Sequence, residues 1–166
     1  MTPLVVVCLG TDHHQFDRLA RWARDLADEG WVRVHLQHGS TAVPESECLE
    51  STELMGLTQL RELMEEAAAV VTHGGPGLIV DAHLSGHRPV VVPRDPTLGE
   101  HVDGHQMRFV ARIGQGGSIM PAHTYGQFRE AVAVAVIGPR SPSVLPGSSS
   151  GVTEKFGRLV AELITR

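Results

Sequence analysis

Cysteine is almost missing from this chain. Cys8 sits in an apolar run and Cys48 in an acidic loop, and two such residues make no disulfide framework. A reducing, cytoplasmic setting is therefore expected. A basic excess is missing as well: 14 Lys and Arg against 19 Asp and Glu leave a net charge of -5, where a nucleic-acid binder normally shows a basic face. No apolar run nears the length of a membrane span, and Met1 to Gly10 is too short and too poor in basic residues for a signal peptide. Any membrane association is expected to come through a partner. Standard catalytic signatures are missing too. There is no G-x-x-x-x-G-K-[ST] loop, no correctly placed G-x-G-x-x-G, no C-x-x-C, no H-E-x-x-H, no G-x-S-x-G and no Asp-x-Asp. His83/His87 and His101/His105 have i, i+4 spacing, but neither pair has a third ligand of matching spacing. No metal site is assigned, and most of the ten histidines read as surface or half-buried polar residues.

What is present is the patterning of one soluble domain, with 42% hydrophobic and 20% charged residues. Its 166 residues are enough to bury roughly two-thirds of the unfolded surface. Leu4 to Leu9 reads as a central parallel strand, and Phe16 to Ala27 as an amphipathic helix that Gly30 ends. Trp31 to Leu36 reads as a strand, followed by an acidic, irregular stretch from Val43 to Met55 that has room for a short one. Leu57 to Ala67 is helical, Ala68 to Thr72 a strong strand, Gly77 to Leu84 a helix stopped by Gly86, and Pro89 to Val92 a strand. Helix from Glu100 to Ile113, a brief strand at Ser118 to Met120 and helix from Tyr125 to Val136 complete the pattern. This alternation predicts an α/β fold, a doubly wound, Rossmann-like parallel sheet, with ligands beyond the carboxyl ends of the strands. The expected organisation is one domain over 1–137, a Pro/Ser/Gly-rich flexible linker over 138–151 and an amphipathic helix over 152–166. That helix has an apolar stripe of Val152, Phe156, Leu159, Val160, Leu163 and Ile164 for this domain or a partner.

The most informative stretch is Val70-Val71-Thr72-His73-Gly74-Gly75-Pro76-Gly77-Leu78-Ile79-Val80-Asp81. A buried strand ends at a histidine, turns through glycines and re-enters as a helix, with Pro76 suited to its first turn. Bare amides and a helix dipole then point at one spot, which suits a diphosphate. His73 can donate to a phosphate oxygen. Asp81 lies about 6 Å along the helix axis from Gly77, near the offset between a phosphate and its ribose, whose hydroxyls a carboxylate can accept. The plainer alternative is a strand–turn–helix connection whose glycines serve sterics alone. Gly10-Thr11 and Pro93-Arg94 are the turns expected to converge on the same edge.

These residues resemble a known family. His73 to Asp81, then Gly86, Pro89, Pro93 and Asp103-Gly104-His105-Gln106, resemble the C-terminal, donor-binding half of GT-B glycosyltransferases of family 28. Within it they resemble the half-size members: the small catalytic subunit of the eukaryotic two-part UDP-GlcNAc transferase of dolichol-linked oligosaccharide assembly, and the bacterial exopolysaccharide subunits of PssE type. The opening run Gly10-Thr11-Asp12-His13-His14-Gln15-Phe16-Asp17-Arg18-Leu19 is similar to that of the bacterial subunits. The resemblance covers the chain to about Ile137.

The resemblance implies that His73 and the amides of Gly74, Gly75 and Gly77 contact the donor diphosphate, with Gly10 and Thr11 lining its other side. It implies that Asp81 holds the ribose of UDP and that His105 and Gln106 face the transferred sugar. Glu100 is a second candidate for the sugar, against a plain role as a helix N-terminal acid. Arg94 is a candidate to neutralise the diphosphate or a uronic-acid carboxylate, against a surface salt bridge. Two departures stand out: Leu78 replaces a small hydroxyl or alanine, and Asp81 is shorter than the glutamate of many full-length enzymes. The motifs supply no catalytic base. The resemblance thus implies the donor-binding subunit of an inverting, metal-independent hexosyltransferase without a cofactor. It would use a UDP-sugar and act with a membrane-associated, acceptor-binding partner that supplies the base, on a lipid-linked or polysaccharide acceptor at the inner face of the membrane. The sugar, and homo-oligomerisation of the isolated chain, stay open. Two alternatives remain: a non-catalytic UDP-sugar-binding regulatory subunit, and a sugar-nucleotide epimerase or hydrolase half.

Overall fold

Valine runs with both faces apolar can only be satisfied between two layers of helices, and they organise this molecule. The computed structural model describes residues 1–140; most of the expected linker and the helix expected over 152–166 lie outside the described residues. Six strands, β1 (Leu4–Cys8), β2 (Arg33–Gln37), β3 (Leu49–Thr52), β4 (Ala69–His73), β5 (Val90–Val92) and β6 (Met120–Pro121), form one sheet in the order β3-β2-β1-β4-β5-β6. Every pairing is parallel. Among the described residues five helices surround it: α1 (Asp17–Asp28), α2 (Leu57–Glu66), α3 (Pro76–Leu84), α4 (His105–Gly114) and α5 (Tyr125–Ile137).

Strand side chains alternate between faces, and the burial pattern follows that rule. Val5, Val7, Val71, Val90 and Val92 pack with Phe16, Leu19 and Leu26 of the α1 region and with Phe128 and Val132 of α5. On the opposite face Val6, Cys8 and Val70 meet Leu60, Met64 and Ala82 of α2 and α3, while Val91 meets Ile79, Phe109, Val110 and Ile113 of α3 and α4. Each fully buried Leu or Phe contributes about 2 kcal/mol. Burial also pushes the Cys8 thiol up to about 12, which makes it an inert core group. Because α1 and α2 lie on opposite faces, the chain reverses direction across the sheet between β1 and β4. That is the switch point where ligands of open α/β sheets bind.

The acidic stretch holds the short strand it has room for, edge strand β3, paired to β2. One sequence expectation needs correction. The helix expected from Glu100 begins only at His105, after a 3-10 turn at Pro96–Leu98 that Gly99 closes at φ +71°. The cause is Glu100 itself, drawn inward and 4% exposed. Arg18 donates to Glu100 Oε1 from Nε at 2.9 Å and to Oε2 from Nη2 at 2.8 Å, and the Asp95 N–H donates to Oε2 at 2.8 Å. Glu100 therefore acts as the anchor of a turn, in place of the helix-starting acid anticipated.

Removing one partner of a buried pair strands the other charge. Glu100→Ala is expected to lower the unfolding free energy by about 3 kcal/mol, measured by urea denaturation. An unchanged midpoint would show that the pair carries no such role.

Candidate functional site

Three turns meet beyond the carboxyl ends of β1, β4 and β5. After β1, Gly10 takes φ +81°, and Gln37 at the end of β2 grips it from both sides. Its Oε1 accepts the Gly10 N–H at 3.1 Å, and its Nε2 donates to the Gly10 carbonyl at 3.1 Å. The Gly10 amide is thus committed within the protein.

His73 closes β4. Its Nδ1 accepts the Gly75 N–H at 3.0 Å, which requires a bare lone pair there and puts the proton on Nε2. Burial, reinforced by the Arg94 charge, pushes its pKa down to about 4, so the ring is neutral at pH 7. Gln106, in the first turn of α4, accepts the Gly74 N–H at 3.0 Å and the Arg94 N–H at 3.1 Å on Oε1. Its 3.4 Å approach to His73 Nδ1 is accordingly a contact between two acceptors. The amide expected to face sugar hydroxyls therefore has its oxygen engaged, and only its NH2 group is available to donate.

The glycines of the turn are of two kinds. A Cβ on Gly75 would collide with the His73 ring, and one on Gly74 would stand 2.9 Å from Gln106 Cβ. These glycines make room for the protein's own side chains. Gly77 is different, because a Cβ there meets nothing within 4 Å. Helix α3 starts at Pro76, and its first bond runs from the Ile79 N–H to the Gly75 carbonyl at 3.4 Å. The amides of Gly77 and Leu78 precede it, on the positive end of the helix.

Asp81 is one turn further along and is half-buried. Arg61 of α2 donates to its Oδ1 from Nε at 3.0 Å and from Nη2 at 2.7 Å. Gly10, Thr11, His73 and Asp81 line one cleft of about 290 Å³, whose other wall is apolar: Leu54, Met55, Leu57, Leu60 and Leu78. Sequence reasoning missed Arg61, Gln37 and this wall.

The other expected site residues stand elsewhere. Arg94 is 1% exposed and is no surface salt bridge. Its guanidinium donates to the carbonyls of Leu9 (2.9 Å), His14 (2.7 Å) and Glu100 (3.1 Å) and lies 4.7 Å from the Phe16 ring centroid, so it faces inward. Glu100 is turned inward onto Arg18. His105 is exposed, with Nδ1 2.6 Å from Asp103 Oδ2. Neither i, i+4 histidine pair forms a ligand pair. His101 lies in the turn before α4, and His87 Nε2 bonds to the Met64 carbonyl at 2.6 Å.

A profile of the glycosyltransferase family 28 C-terminal domain matches residues 4–121. The chain belongs to that family. No curated protein matches the family 28 chain in sequence, but its fold recurs in solved structures. The calicheamicin glycosyltransferase CalG4 is 16% identical with a TM-score of 0.56, over 99% of this chain and 38% of that one. The spinosyn forosaminyltransferase SpnP is 17% identical with a TM-score of 0.61, over 99% and 40%. The chain thus spans about two-fifths of the length of such enzymes. The solution structure of ALG13 is 17% identical with a TM-score of 0.58, and there the match covers 99% of this chain and 98% of that one. No helix among the described residues is long and apolar enough to cross a membrane.

Because folding lowers the His73 pKa, the unfolded chain binds this proton first as the pH falls. The stability tied to His73 is present in full above about pH 6.5 and is lost as the pH falls toward about 4. Denaturation from pH 7 to 4 is expected to show this slope in the wild type and not in His73→Asn, with a difference of about 3 kcal/mol. A second expectation concerns the turn: Gly75→Ala lowers the thermal midpoint, whereas Gly77→Ala leaves it unchanged or raises it, since alanine is the better helix former.

Proposed function

We propose that this chain is the donor-binding and catalytic subunit of an inverting, metal-independent glycosyltransferase. It moves a hexosyl group from a UDP-sugar to a lipid-linked or polysaccharide acceptor, together with a membrane-associated, acceptor-binding partner. The observation that carries this reading is Gly77. Packing among the described residues gives no reason for a glycine there, yet it stands at the open start of α3, between His73 and Asp81 in sequence, both of which line the cleft. Close approach of a diphosphate supplies the reason.

In this reading the diphosphate lies on the amides of Gly77 and Leu78, with Thr11 and the Nε2–H of His73 opposite. The amides of Gly74 and Gly75 shape the turn through Gln106 and His73. Asp81, steadied by Arg61 on Oδ1, receives the ribose hydroxyls on Oδ2, and the uracil rests on the apolar wall. The NH2 group of Gln106 is the donor this reading assigns to the transferred sugar. The acceptor hydroxyl attacks the anomeric carbon on the face opposite UDP, and the bond from that carbon to the diphosphate oxygen breaks. The charge left on UDP meets the positive end of α3, which is electrostatic stabilisation fixed before reaction. The hydroxyl proton passes to a base on the partner. A match to nearly all of ALG13, and to only two-fifths of the larger enzymes, supports the half-size reading.

Calorimetry with UDP tests the site. The wild type is expected to bind. Gly77→Ala, folded and stable, is expected to bind at least about tenfold more weakly, and Asp81→Ala likewise. No binding by the wild type, or full binding by Gly77→Ala, would overturn the assignment. Transfer to a lipid acceptor by the isolated chain at the full rate would remove the partner from the proposal.

A further inference from the structure

Beside the donor cleft, and outside its lining, a group of imidazoles surrounds one carboxylate. Ligand-capable atoms of Asp12, His13 and His14 all lie within 4.8 Å of one another. His14 Nδ1 is 2.6 Å from Asp12 Oδ1, and His13 Nδ1 is 3.9 Å from the same oxygen. His101, from the turn before α4, brings Nε2 to 3.6 Å from Asp12 Oδ2. We propose that Asp12, His13, His14 and His101 form a binding site for one divalent transition-metal ion of the zinc class, linking the β1–α1 loop to the turn at 99–104.

The ligand chemistry fits. Three neutral imidazoles and a carboxylate are a tetrahedral set for zinc, cobalt or nickel. Metal–nitrogen bonds near 2 Å put neighbouring ligand atoms roughly 3.3 Å apart, and the separations from Asp12, 2.6 to 3.9 Å, straddle that value. An ordinary turn explains only part of the cluster. Asp12 Oδ1 accepts the His14 N–H at 2.7 Å, which accounts for Asp12 and His14. It gives no reason for His13 and His101 to approach the same carboxylate.

The scaffold is set in advance. Arg94 donates to the carbonyl of His14 and to that of Glu100, the residue before His101, so one buried guanidinium fixes both ligand-bearing segments. Asp103 stands behind His101, its Oδ1 3.7 Å from His101 Nδ1. A carboxylate there favours the tautomer that frees Nε2 for a metal. In the ion-free geometry Nδ1 instead accepts the Asp103 N–H at 3.4 Å, a long bond that metal binding would exchange. The site is separate from the diphosphate reading, since none of these ligands lines the cleft.

The test is titration of the full chain, without a histidine tag, with Co2+ followed by displacement with Zn2+. The expected result is one equivalent bound, the strong visible bands of four-coordinate cobalt, and a rise in thermal midpoint reversed by a chelator. His14→Gln and His101→Gln are each expected to weaken binding by at least about tenfold. In the wild type, imidazole NMR signals of His13, His14 and His101 are expected to move with one equivalent of Zn2+, while those of His35 and His87 stay in place. Absence of binding, unchanged affinity in both His14→Gln and His101→Gln, or movement confined to other histidines would overturn the proposal. UDP binding by calorimetry reads the donor site independently, so either assignment can fail alone.

Discussion

Three segments cross above the carboxyl edge of the sheet, and each turns a backbone carbonyl away from water toward the same interior point. Arg94 is the group that satisfies them. Leu9 belongs to the end of β1, His14 to the approach to α1, and Glu100 to the turn before α4. A buried guanidinium without such partners would be prohibitive, so the loops and the arginine hold one another in place. Arg18 completes the arrangement by donating to the carbonyl of Pro93 at 2.9 Å as well as to Glu100. The Arg94 charge also reaches His73, where it acts with burial to keep the ring neutral.

That neutrality decides what His73 does. A neutral ring with Nδ1 occupied by the Gly75 amide has a single remaining function, the Nε2–H, and a single orientation. The turn is therefore built around a side chain before any ligand arrives. Gly10, Gly74 and Gly75 yield space to His73 and Gln106, leaving the start of α3 as the open part of the motif. Preformed donors of this kind need little reorganisation when charge develops against them.

Much of this was legible in the sequence because it rests on periodicity and on local chemistry. The runs Leu4 to Leu9 and Ala68 to Thr72 read as strands and Pro76 after glycines suits a helix start, and the structure has strands at Leu4–Cys8 and Ala69–His73 and a helix from Pro76. What failed were features set by contacts between distant residues. Glu100 looks like the start of a helix until Arg18, 82 residues away, draws it inward. Arg94 at a strand end looks solvent-facing until three carbonyls claim it. Arg61 sits beside the apolar stripe of α2 and gives no sign of Asp81, 20 residues on. Asp12-His13-His14 was visible as a string, yet its fourth neighbour, His101, comes from another turn.

The two margins of the sheet differ from its centre. At one, β6 is only Met120–Pro121, and proline has no N–H to offer another strand. At the other, β3 is four residues long and carries Glu50 paired to Arg33 across the surface, a charged edge of the sort that discourages strand addition. Lateral growth of the sheet is thus discouraged at both ends. Among the described residues, the edges favour association through matching surfaces over continuation of a backbone ladder.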